Sequence, residues 1–214
     1  MQTIRIISLI TCLLSFNGCM SLARHYVGLS EPACISVEKI SHYAKKYGIN
    51  EENSFHVDTT YLIKLLEYGD YSNPTVKNHI QPVQACKDDK EKTLFRHYIS
   101  CYASGLYKIK WNLEGVFNSF PPEIQAPVNT IIPFELLRSS LIPVSKKALA
   151  IDNVGYDYTI IIYWTVATER HSKGLIKQIR SNVALADSSL TIAIFYANYD
   201  NVLYKLKQTA FPDL

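Results

Sequence analysis

The sequence predicts an α/β protein whose C-terminal third is a strand–helix–strand unit, preceded by a small helical and β-hairpin region. Three stretches carry this prediction. Tyr158–Trp164 (YTIIIYW) is an almost unbroken run of β-branched and aromatic residues. Such a run suits a strand covered on both faces, which is the usual situation in a parallel sheet. Residues 169–182 then place Leu175, Ile176, Ile179 and Val183 at helical spacing, with Lys173, Lys177 and Arg180 on another face. Residues 190–197 (LTIAIFYA) form a second apolar run. Strand, helix and strand of these lengths make a βαβ unit with an expected right-handed crossover.

The chain has 214 residues, 48% hydrophobic and 19% charged, with a formal net charge of +3. Arg5 followed by residues 6–16 (IISLITCLLSF) reads as the positive and apolar parts of a secretory leader, too short to span a bilayer. Asn17-Gly18-Cys19 follows. A small residue directly before a cysteine after an apolar leader resembles the lipobox of bacterial lipoproteins, with Phe16 and Asn17 departing from the usual residues. That resemblance implies cleavage after residue 18 and acylation of Cys19, with palmitate as one of the chains. A plain signal peptide and an uncleaved anchor are the alternatives. Residues 1–18 are thus a signal peptide and 19–33 a lipidated tether. Met20 beside the lipid cysteine implies an outer-membrane lipoprotein of the cell envelope.

Residues 34–150 form the helical and hairpin region. Val37, Ile40, Ala44 and Tyr47 fall at helical spacing, Ser36 is the expected cap and Gly48 the stop. A second helix is expected over 59–68, capped by Asp58, with Tyr61, Leu62, Leu65 and Leu66 buried and Gly69 as terminator. HIQPVQAC and TLFRHYISCY read as strands joined by the charged turn KDDKEK, and KIKWN is a candidate further strand. Five prolines between Phe120 and Pro143 predict a largely loop region, with a short helix in FELLRSSL.

The C-terminal region, 151–214, resembles the thioredoxin-like fold. An apolar strand ends in Tyr163-Trp164, a helix follows, and the next strand ends FYANYD. In that family the first reactive cysteine lies four residues after the tryptophan and the second three further on. Those positions here are Thr168 and His171. The resemblance covers about 45 residues, roughly 154–200. It identifies the chain as similar to divergent thioredoxin-like lipoproteins of Bacteroidetes type that lack the Cys-x-x-Cys motif. The family continues with a helix and two more strands, the first preceded by a cis-proline. Here only about a dozen residues follow Asp200. The sheet is therefore completed by strands from residues 75–112, or the domain is abbreviated.

The substitution decides the chemistry. A thiolate at a helix N-terminus is stabilised by the orphan amides and the macrodipole, and exchange needs a second sulfur. Threonine and histidine supply neither, so dithiol–disulfide exchange at 168 and 171 is excluded. Thr168 is the expected helix cap and Glu169 a favourable first-turn acid. A Thr–His nucleophile and base lacks any third orienting residue or oxyanion motif.

Of the five cysteines, Cys12 leaves with the leader and Cys19 takes lipid. Cys86 and Cys101 flank the polar turn and are a possible disulfide. The alternative is two free thiols, since a tight hairpin centred near Asp89 brings Cys86 to about position 93 instead. Cys34 is left as a free, buried thiol. Six dispersed histidines and the acidic turn at Asp88, Asp89 and Glu91 match no metal-site spacing. No cofactor fingerprint is found, and the weak charge excludes a nucleic-acid partner. Fifteen tyrosines suit either a core or a ligand surface. The expected function is a non-enzymatic binding or interaction module. It is held at the membrane by lipid and has an unknown protein, peptide or glycan ligand. The alternatives are a redox protein using Cys86 and Cys101, or an unrecognised hydrolase.

Overall fold

The computed structural model describes residues 28–61, 82–87, 94–99, 112, 115, 117–120, 131–133, 138–151 and 155–210, with segments 82–87, 94–99 and 131–133 and Ala210 described by backbone alone. In chain order these form α1 (Val37–Lys46), a single 3-10 turn (Glu51–Asn53), β1 (Ser54–Val57), β2 (Pro82–Lys87), β3 (Leu94–Ile99), β4 (Ile131–Pro133), β5 (Leu141–Pro143), β6 (Tyr158–Trp164), α2 (Glu169–Val183), β7 (Ile192–Asn198) and α3 (Asp200–Ala210). The α/β class follows directly.

Seven strands make one mixed sheet in the order β4-β3-β2-β6-β7-β1-β5. Its centre is parallel. β6 pairs with β7 from Tyr158↔Ile192 to Trp164↔Asn198, and β7 pairs with β1 from Ser54↔Tyr196 to His56↔Asn198. The strand–helix–strand unit therefore consists of adjacent parallel strands linked by α2. The hairpin β2–β3 completes the sheet on one side, with β2 antiparallel to β6 from Val83↔Ile162 to Lys87↔Tyr158. Segments 34–150 and 151–214 thus share one sheet.

Alternation along β6 explains why both its faces are apolar. Ile160, Ile162 and Trp164 join α1 and α2 in one cluster through Ile40, Ala44, Tyr47, Leu175, Ile176 and Ile179. Ile161 and Tyr163 point the other way, to Phe55, Tyr61, Phe195, Tyr199 and Val202. Each fully buried large aliphatic side chain contributes about 1.5–3 kcal/mol. On the second face Tyr61 stacks on Tyr163 at 5.5 Å, and Tyr199 meets both edge-on at 6.1 Å. These tyrosines belong to the core and leave no ligand surface there.

Several expectations need correction. Val37 is exposed, so the stripe of α1 begins at Ile40. The proline-rich region is not all loop: Pro133 and Pro143 end the two edge strands, β4 and β5. An edge position tolerates the missing amide, since no further strand needs it. Residues 138–140 are helical, within the short helix expected in FELLRSSL. The helix α3 was not anticipated; Val202, Leu203 and Leu206 give it a helical period after Asp200. Cys34 is an exposed free thiol and not a buried one, because it lies on the segment entering α1, one residue before the buried Ile35. The expected helix over 59–68 is described only to Tyr61; there Asp58 accepts hydrogen bonds from the amide and hydroxyl of Thr60. KIKWN lies outside the described residues apart from Asn112, which is in a turn.

Candidate functional site

The turn between β6 and α2 is the place where the sequence concentrates its chemistry. Parallel strands deliver their C-terminal ends to one edge of a sheet, where ligands commonly bind. Thr168 occupies the N-cap position of α2, as expected, but its side chain makes no capping bond. Its φ of −125° and ψ of 57° depart from the extended backbone usual for a cap. Thr168 is 4% exposed, and its Oγ1 has no hydrogen-bond partner among the described residues. The amide of Ser172 bonds the Thr168 carbonyl at 2.9 Å.

The turn is held by groups other than its cap. The Ser172 hydroxyl donates to the Thr165 carbonyl at 2.6 Å and accepts from the Thr165 amide at 3.0 Å. The Asp200 carboxylate, at the start of α3 and 2% exposed, gathers the remainder. It accepts from Thr165 Oγ1 at 2.7 Å, from the Val166 amide at 2.8 Å, from the Ala167 amide at 3.2 Å and from Asn198 Nδ2 at 2.7 Å. A buried charge is tolerated only when so surrounded. The sequence signal for this carboxylate is a helix-starting acid directly after a buried strand, in Asn198-Tyr199-Asp200.

His171 is buried on the first turn of α2, and burial alone pushes its imidazole down to about 4. It is therefore neutral at ordinary pH. Glu169 bridges Lys46 and Lys173, each at 3.0 Å, and these two ammonium groups, Lys46 first, hold its carboxyl below the usual range. Lys173 also lies 5.5 Å above the ring of Tyr47. The basic face of α2 is thus largely engaged. Arg180 likewise bonds Tyr196 Oη and the carbonyls of Tyr47 and Gly48.

The mouth is covered by the chain itself. Leu29 makes an antiparallel bridge with Thr168, and the Ser30 amide donates to the Ala167 carbonyl at 2.8 Å. Gly28, at φ +74°, approaches Arg170 so closely that a Cβ there would sit 2.9 Å from Arg170 Cγ. The strap continues along α3. Asn201 clasps the backbone of Ile35 from both sides, at 2.8 and 3.1 Å, and Lys207 pairs with Glu31 at 2.7 Å.

Thr168 and His171 therefore share one buried turn. Cys19 and Cys101 lie outside the described residues, and Cys86 is described by backbone alone. In the β2–β3 ladder Ala85 faces Arg96 and Pro82 faces Ile99, so Cys86 sits at the end of the hairpin opposite to Ile99. Among the described residues no group of three His, Cys, Asp or Glu side chains is placed to hold a metal ion. No helix among them is long and apolar enough to cross a membrane. Comparison with protein-family models, with curated proteins and with solved structures gives no match.

Proposed function

We propose that this chain is a lipid-anchored protein of the cell envelope. Its redox-inactive, thioredoxin-like domain acts as a non-enzymatic binding module. The observation that carries the reading is the turn after β6. It joins two adjacent parallel strands through a helix, as in thioredoxin-like proteins, yet holds Thr168 and His171 where the reactive sulfurs would stand. Both side chains are buried, and Leu29 of the same chain bridges to Thr168. Neither can carry electrons. The strand pair that the family adds after its βαβ unit has a counterpart upstream, in the hairpin β2–β3 against β6. The alternative, a redox role, requires Cys86 and Cys101 to act as a pair, and Cys101 lies outside the described residues.

Anchoring through Cys19 explains the apolar leader and fits the exposed approach to α1. Residues 29–33 run over the surface of α2 and α3 before the first helix. The test is metabolic labelling with a palmitate analogue. The full chain is expected to take up label and partition with membranes, and Cys19→Ser to do neither. Equal labelling of both chains contradicts the anchor.

A further inference from the structure

Residues 28–30 lie over the mouth of α2, and the opposite end of α2 offers another surface. An open cavity of about 390 Å3 is lined by Arg180, Asn50, Asn53, Tyr196, Ile192 and Ile194. That volume lies within the range of small-molecule sites, roughly 300–1,000 Å3.

Its central group is built in by the end of α1. The Gly48 amide bonds the Lys45 carbonyl at 3.0 Å and the Ile49 amide bonds the Ala44 carbonyl at 2.9 Å, the pair of bonds that closes a helix through a left-handed residue. Gly48 supplies that residue at φ +68°, and its absent side chain lets Arg180 Nη1 approach to 3.4 Å of where a Cβ would stand. The helix end turns the carbonyls of Tyr47 and Gly48 toward the guanidinium, which donates to them at 3.3 and 2.8 Å. Nε donates to Tyr196 Oη at 2.8 Å, and the guanidinium lies 5.1 Å from the Tyr196 ring centre. A guanidinium has five N–H groups. Three are used, which leaves two (5 − 3). No carboxylate neutralises this cation among the described residues, although its position is fixed by three neutral acceptors. The amides of Asn50 and Asn53 stand at the rim, and Ile192 and Ile194 form a half-buried apolar floor.

We propose that this cavity binds a small polyhydroxylated carboxylic acid of the uronic-acid type. Its carboxylate would pair with the remaining N–H groups of Arg180, its hydroxyls with the two asparagines, and its apolar ring face with the isoleucines. A planar monoanion suits a single pre-positioned guanidinium. A phosphate dianion calls for more than one cation, and among the described residues Arg180 is the sole cationic one lining the cavity. The site goes beyond the proposed binding-module role by naming a ligand class. The anchor and the silent redox centre do not depend on it.

The test is a titration of the full chain with glucuronate, glucose and inorganic phosphate, followed by amide shifts of Gly48 and Tyr196. Glucuronate is expected to saturate and to bind at least tenfold more tightly than glucose. Arg180→Gln is expected to abolish the response. Because Arg180 also ties α1 to α2, Asn53→Ala is the companion variant. It removes a side chain with no hydrogen bond among the described residues and is expected to weaken glucuronate about fivefold at unchanged Tm. Glucuronate that fails to saturate, phosphate that binds more tightly than glucuronate, or an Asn53→Ala chain that binds as the parent does, each overturns the proposal. None of these outcomes touches palmitate labelling at Cys19, so the two readings fail separately.

Discussion

At the scale of residues, the turn after β6 is held by a buried carboxylate and leads into a helix whose first turn buries a neutral imidazole. His171 titrates at about 4, below its ordinary 6.5, because burial penalises the charged ring. Between those values the unfolded chain binds a proton that the folded chain refuses. Stability therefore rises with pH through this window and falls on acidification, by up to about 3 kcal/mol. Half-buried His56 is shifted in the same direction and adds to the slope. The denaturant midpoint is expected to drop from pH 7 to pH 4.5 and to drop much less in His171→Gln; an unchanged slope in that variant refutes the assignment. Asp200 is the second residue of consequence. Asp200→Ala strands the hydroxyl of Thr165, the amide of Val166 and the side chain of Asn198. A loss of about 3 kcal/mol or more is expected, measured by chemical denaturation. A loss below about 1 kcal/mol contradicts the role given to the carboxylate. Thr168 was legible in the sequence as a helix start, because the strand run ends and the helical period begins around it. Its missing cap bond was not legible. The amides just before the helix, Val166 and Ala167, bond Asp200, more than thirty positions further on, and no local pattern reports a distant acceptor.

At the scale of elements, periodicity decided what was legible. β6, α2 and β7 are long and strongly patterned, and the expected 158–164, 169–182 and 190–197 became Tyr158–Trp164, Glu169–Val183 and Ile192–Asn198. α1 was equally clear, with Ser36 accepting from the Lys39 amide at 3.3 Å. The edge strands β4 and β5 were hidden because three residues carry no period and each contains a proline. The strap over the α2 mouth was hidden for the same reason. Residues 28–35 make their contacts one at a time, through backbone and asparagine, and so leave no repeating pattern. The strap makes a specific prediction. Asn201→Ala removes both bonds to Ile35, worth about 1 kcal/mol net. Hydrogen exchange of the Ser30 amide, which is bonded to Ala167, is expected to accelerate about fivefold. Exchange of the β6 amides is expected to stay as in the parent. Unchanged protection at Ser30 means that the strap is held without the clasp.

At the scale of the whole molecule, a sheet with a parallel centre is flanked by α1 and α2 on one face and α3 on the other, and closed on one side by a hairpin from earlier in the chain. The sequence left two possibilities for completing the sheet; strands from 75–112 are found beside β6, at 82–99, while β1, β4 and β5 come from outside that stretch. Strand order could not be read from the residues, because β2 joins β6 across more than seventy positions of chain. What unites the molecule functionally is negative at one end and positive at the other. Among the described residues no side chain at the helix mouth carries sulfur, and Leu29 bridges to Thr168 there, whereas the far end of α2 presents a fixed guanidinium to an open cavity. The most direct measurement is reduction of insulin disulfides by dithiothreitol in the presence of the purified full chain. The account predicts a rate no higher than dithiothreitol alone, for the parent and for Cys86→Ser alike. A rate that rises in proportion to the chain's concentration would show sulfur acting somewhere in this fold and would contradict the reading of it as redox-silent.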